Sequence, residues 1–176
     1  MVFAHDTNAA LTAAVALVNS AEPPDTMTTG EHLDAFYATY RYSGGRTGDD
    51  AELGAVRALR APLRELLTSD RDSAVRIVNR VLAERRAVPA LVRHDEWDYH
   101  LHCIRDDAPL ADRIAVETAM AMVDVIRADE LSRLSVCADE SCGGIVVDLS
   151  RNRSRRFCST ACGNRVAVAA YRARKG

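Results

Sequence analysis

The sequence has no apolar run of the roughly 18 residues that a bilayer-crossing helix needs, and its N-terminal half has no internal repeat or low-complexity tract. No membrane span is expected. The apolar stretch from Ala9 to Val18 is preceded by His5 and Asp6 rather than by the cationic segment of a secretory signal, so it reads as an amphipathic helix. Cysteine is scarce: there are five in 176 residues. Four of these stand close together near the C-terminal end, leaving only Cys103 elsewhere, a usage that fits a reducing compartment better than a disulfide framework. The expected location is the cytoplasm. Also missing are a nucleophile–base pair, a phosphate-binding glycine loop and a zinc site with an open position, so no enzyme is expected. Acid is missing from one long segment. From Ser150 to Gly176 there are seven Arg and one Lys with no Asp or Glu, whereas the remainder holds 15 bases and 25 acids. The formal net charge of −2 hides this segregation.

What is present at that end is two close thiol pairs. Cys137 and Cys142 form a C-x4-C pair, and Cys158 and Cys162 form a C-x3-C pair after 15 intervening residues. Two such pairs suit one tetrahedral ion. Zn²⁺ takes four thiolates at roughly 2.3 Å and stabilises small folds without a core of their own. An iron–sulfur cluster is the alternative occupant, and a set of reduced buried thiols is the plainer one. Between the pairs, Gly143-Gly144 precedes the β-branched run Ile145 to Val147, and a polar Arg-rich stretch leads to Phe157. The expectation is knuckle, strand, polar turn, strand. Ser159 or Thr160 then caps a helix that runs to about Arg174 and carries Cys162 in its first turn. Together these make a treble-clef-like zinc module.

Placed at 100° steps, Asn164, Arg165, Val168, Tyr171, Arg172 and Lys175 share one side of that last helix. Val166, Ala169, Ala170 and Ala173 occupy the other and are expected to pack on a neighbouring element. Arg and Asn are the side chains that contact phosphates and base edges, so Arg151, Arg153, Arg155, Arg156, Asn164, Arg165, Arg172 and Lys175 are the candidate nucleic-acid contacts, with DNA as the expected partner. The plainer reading has these Arg side chains binding carbonyls within the finger or acids of the N-terminal half. Four thiolates on Zn²⁺ also leave −2, so part of the positive charge balances the metal site.

The string Cys137-Ala138, Cys142, Asp148, Ser150-Arg151-Asn152, Ser154 to Ser159 and Cys162-Gly163-Asn164-Arg165 closely resembles the CGNR zinc fingers. Ala16-Leu17-Val18-Asn19-Ser20 resembles the opening signature of the helical ABATE domain that precedes the finger in that family. The resemblance implies a stress-induced transcription regulator covering nearly the whole chain. Phe157 stands where the family usually has Trp, and the last cysteine pair is one residue closer than in many members.

With 48% hydrophobic residues the chain can bury one core plus a small module. The expected fold is mainly α with a small β-hairpin (α+β), a helical domain over 1–133 and the finger over 134–176. In chain order, Leu11, Ala14, Val15 and Val18 mark a helix that Pro23-Pro24 ends. Thr28 with Glu31 and Asp49 with Glu52 read as capping boxes, Asp70 or Asp72 as a further helix start, and Pro62 as a kink or new turn. Alternation from Trp97 to Cys103 against Ala90 to Arg93 predicts a hairpin. Ile114 to Ile126, apolar nearly all round, predicts a buried central helix, and Asp129 the cap of a last short turn. Cys103 reads as a core thiol. Asp98, His100 and His102 share a strand face, which is either a solvated face or a metal or acid–base site. Glu117 and Asp124 are either a polar seam or the lining of a pocket. The helical half is left to dimerise, to sense a small-molecule effector or to meet a partner. The alternative function is a zinc-stapled module that binds protein or RNA without sequence-specific DNA binding.

Overall fold

The computed structural model describes residues 3–93 and 99–175, and the side chain of His100 is not described. The elements in order are α1 (His5–Asn19), α2 (Gly30–Thr39), α3 (Asp50–Ala58), α4 (Arg60–Thr68), α5 (Arg71–Glu84), β1 (Ala90–Val92), β2 (His100–His102), α6 (Leu110–Arg127), β3 (Leu134–Val136), β4 (Ile145–Val147) and α7 (Thr160–Ala173). The fold is mainly α with two small antiparallel hairpins. No helix among the described residues is long and apolar enough to cross a membrane.

Helix starts follow local hydrogen bonding. Asp49 accepts from the Glu52 amide at 2.8 Å and Asp70 from the Ser73 amide at 2.9 Å, each filling an N–H that the first turn leaves free. Glu52 reaches back to the Gly48 amide at 3.2 Å, one residue before the expected box partner. At α2 the cap is Thr29, not Thr28, and it accepts from His32 N at 3.3 Å. Pro62 lies in the first turn of α4, where its missing N–H costs nothing, and the chain bends just before it between α3 and α4. Asp129 does not cap a turn; it sits in the left-handed region at φ 57° after α6.

The core forms around α6, which packs against α1, α5 and α3. Leu110, Ile114, Val116, Met122 and Val125 are fully buried, as the apolar surround of this helix requires. Leu53, Val56, Leu59, Leu63, Leu66 and Leu67 are buried along α3 and α4 in the expected register. In the first hairpin Leu91 pairs with Leu101. Its turn, including Trp97 and Asp98, lies outside the described residues.

The second hairpin is placed differently from expectation. β4 pairs with β3, which precedes the first cysteine, in the register Leu134↔Val147 and Val136↔Ile145. The Arg-rich stretch after Ser150 forms no strand. It is a loop folded over Asp148, whose carboxylate accepts from the Ser150 amide at 2.8 Å and the Arg155 amide at 2.6 Å, with Arg153 in the left-handed region at φ 50°. A run of charged residues supplies no apolar side chain to pair across β4, whereas Leu134 and Val136 do.

β4 is also where the finger joins the helical half. Ile145 and Val147 belong to the main core, while Val146 points to the cysteines. Asn19, at the end of α1, donates to the Ile145 carbonyl at 2.8 Å and accepts from its amide at 2.6 Å. Beside it, Glu22 accepts from the Gly143 amide at 3.2 Å, and Arg64 donates to both Glu22 and the Gly143 carbonyl.

Candidate metal centre and cationic finger

The first cysteine pair stands at the turn between β3 and β4, and the second flanks the start of α7. The Sγ atoms of Cys137, Cys142, Cys158 and Cys162 lie within 4.8 Å of one another. Cys158 Sγ is 3.5 Å from Cys142 Sγ and 3.6 Å from Cys162 Sγ, and all four thiols are free. Four sulfurs at about 2.3 Å from one tetrahedral ion sit roughly 3.8 Å apart, so the donor set fits Zn²⁺. Backbone shape serves the same end: a Cβ on Gly144 would fall 2.9 Å from Cys158 Sγ and 3.3 Å from Cys142 Sγ. Only glycine lets the knuckle close that tightly.

Hydrogen bonds converge on the sulfurs. The Gly144 amide donates to Cys142 Sγ and the Cys158 amide to Cys137 Sγ, both at 3.4 Å. Ser159 caps α7 by accepting from the Cys162 amide at 3.2 Å, and its hydroxyl donates to Cys162 Sγ at 3.3 Å. Burial pushes the Cys158 thiol up, whereas the Ser159 hydroxyl holds the Cys162 thiol down. Four thiolates this close need a cation between them. Zinc supplies that charge and cross-links the two pairs, and with all four positions taken by sulfur it serves as a structural ion.

Several candidate contact residues work inside the finger. Arg165 Nε donates to Asp139 at 2.6 Å and its Nη2 to Cys162 Sγ at 3.2 Å. Asp139 is nearly buried and is itself fixed by the Ser141 amide and hydroxyl, which with Arg165 lower its pKa. Arg153 donates to Glu130 at 2.7 Å, and Arg155 lies over the Phe157 and Cys158 carbonyls at 3.4 and 3.3 Å. Arg133, outside the predicted set, holds the Asp148 and Ser150 carbonyls at 2.9 and 3.0 Å.

Arg151, Arg156, Asn164 and Arg172 are exposed, and among the described residues their side chains have no hydrogen bond or ion pair. Lys175 stands 4.8 Å over the Tyr171 ring. Arg174, absent from the predicted set, is equally exposed and has no side-chain partner among the described residues; the acid-free charge run was the signal for it. The expected buried face of α7 is not found. Val166 is half-buried, but Ala169, Ala170 and Ala173 are exposed, so among the described residues no element covers the outer turns of the helix. Small side chains made an apolar stripe in the sequence but offer little area to bury.

Comparison with models of known families matches residues 11–129 to ABATE, described as a putative stress-induced transcription regulator, and residues 133–175 to the CGNR zinc finger. The chain belongs to the ABATE family. It carries that family's domain followed by a zinc-binding CGNR finger, and the four-cysteine cluster is the finger's metal site. No curated protein is matched by the chain.

Of the remaining candidates, Asp98 lies outside the described residues and the His100 side chain is not described, so the strand-face site has only His102 in view, 3.4 Å from Asp106. Cys103 is buried, with its thiol pushed up chiefly by burial. Glu117 and Asp124 both line a cavity of about 440 Å³ between α1 and α6.

Proposed function

We propose that this ABATE-family chain is a cytoplasmic, non-enzymatic DNA-binding regulator, in which zinc fixes the finger and the outer cations meet the duplex. Supporting this reading is one observation above the rest: an acid-free segment presents Arg151, Arg156, Arg172 and Arg174 to solvent with no side-chain hydrogen bond or ion pair among the described residues. An α-helix of 14 residues is about 21 Å long, enough to lie along a major groove, and Asn164 and Arg172 are chemically suited to base edges. Arg165 is better assigned to bracing the finger, and the helical domain to dimerisation or to sensing an effector.

A second reading has one observation in its favour. Val168 and Tyr171 are about half exposed among the cations of α7, as an acidic protein surface with apolar contacts would require.

The test is fluorescence anisotropy of the intact zinc-loaded protein on random and selected duplexes across a salt series. Release of counterions from about four phosphates gives a log–log slope near −3 to −4. A slope near zero, or equal affinity for an acidic peptide, would favour the protein-binding alternative.

A further inference from the structure

We propose that the cavity between α1 and α6 is a binding site for a small organic ammonium ion carrying an aromatic or aliphatic body. The proposal deepens the regulatory reading by giving the effector a chemistry, and it rests on that reading only for its biological role.

The cavity exists because Ala9, Ala10 and Ala13 of α1 and Ala121 of α6 line it together, too short to fill the space between their helices. At about 440 Å³ it falls within the roughly 300–1,000 Å³ of small-molecule sites. Met120, Leu101 and the Tyr40 and Tyr42 rings complete a mainly apolar wall, and aromatic faces attract ammonium groups.

Into this space the two helices bring three carboxyl groups: Asp6 from α1, and Glu117 and Asp124 from α6. Asp124 accepts from the Thr7 hydroxyl at 2.5 Å, and Asp6 accepts from the Thr7 amide at 2.9 Å. Glu117 has no hydrogen bond or ion pair among the described residues. Arg113, whose charge acts on Glu117, gives its guanidinium to the Ala108 and Gly45 carbonyls at 3.1 and 2.5 Å. Arg41 lines the cavity at an exposed position, and His102 faces Asp106. The interior is therefore apolar and acidic, with one carboxyl group lacking a donor. An ammonium ion supplies that donor and its charge. A neutral ligand leaves Glu117 desolvated, and a carboxylate is repelled. The same α1 that bears Asp6 ends at Asn19, the residue clamped to β4, so an occupant would act on the helix that holds the finger.

Calorimetry on the intact zinc-loaded protein at pH 8 tests this without DNA, so its outcome is separate from that of the DNA-binding reading. The probes are phenethylamine, n-hexylamine and tyramine, against 2-phenylethanol and 3-phenylpropionate as neutral and anionic counterparts. At least one amine should bind one-to-one and at least tenfold tighter than the alcohol, with no saturable heat from the propionate. Glu117→Gln should weaken the amine at least tenfold with zinc content and circular dichroism unchanged. Ala10→Leu, which fills the cavity from a half-buried position, should abolish binding and keeps the test open should the first variant not fold. No binding by any of the three amines, alcohol or propionate binding as tightly, or wild-type amine affinity in both variants would overturn the proposal.

Discussion

The helical half closes on large apolar side chains, whereas the finger closes on four sulfurs and the hydrogen bonds that aim them. Leu11, Leu17, Leu33, Leu66 and Leu110 are fully buried in the first region, each worth about 1.5–3 kcal/mol of transfer from water. Among the described residues, the finger's own cluster has only Val146, Phe157 and the cysteines. So small an apolar set cannot offset the ordering of some forty residues, and the metal must supply the difference. The two regions are not independent, because Ile145 and Val147 of the finger are buried in the helical core. The seam is therefore the place where a change in one region is felt in the other.

The largest effect should follow removal of a ligand. Cys142→Ser is expected to lose zinc, worth about 10 kcal/mol or more to a small finger. Metal analysis and amide exchange should then show residues 137–175 open while α6 stays protected. Full zinc occupancy in the variant would remove the contrast between the regions. At the seam, Asn19→Ala leaves the buried Ile145 amide and carbonyl without partners and should cost about 1–3 kcal/mol, read by chemical denaturation. An unchanged midpoint would mean that the finger holds itself in place.

Within the helical half, burial chiefly pushes Glu117 up to about 7 from 4.5. The folded state thus binds the more protons between those values, so this group lowers stability as pH rises from about 4.5 to 7, by up to about 3 kcal/mol. Glu117→Gln should remove that decline from a series of melts at pH 5 to 8. A wild-type slope in the variant would assign it to another group.

The helical half was legible because its code is periodic: the leucine spacing of α3 and α4 and the all-round apolar α6 need only a 3.6-residue rule. The cysteine ligands were legible for a different reason, since thiol pairs at short spacing have few other uses. The seam was not, because Asn19 meets Ile145 across 126 positions and Glu22 meets Gly143 across 121, pairings that no local rule exposes. Asn19 was visible only as part of the family's Ala-Leu-Val-Asn-Ser signature. The hairpin was misplaced because β-branched residues announce a strand without naming its partner. The sequence also could not separate the arginines that brace the finger from those left free, since both kinds lie in one charge run.

That last division carries the functional claim and has the most direct test. Arg172→Ala with Arg174→Ala, both on the outer part of α7, should be compared with Arg165→Ala alone, each titrated with duplex DNA across salt and each assayed for zinc and melting temperature. The outer pair should flatten the salt slope by nearly two units, with zinc and melting temperature unchanged. Arg165→Ala, which takes one charged donor from Asp139 and from Cys162 Sγ, should lower the melting temperature or zinc retention. Unchanged DNA binding at every salt concentration in a zinc-replete outer variant would contradict the assignment of α7 to the duplex.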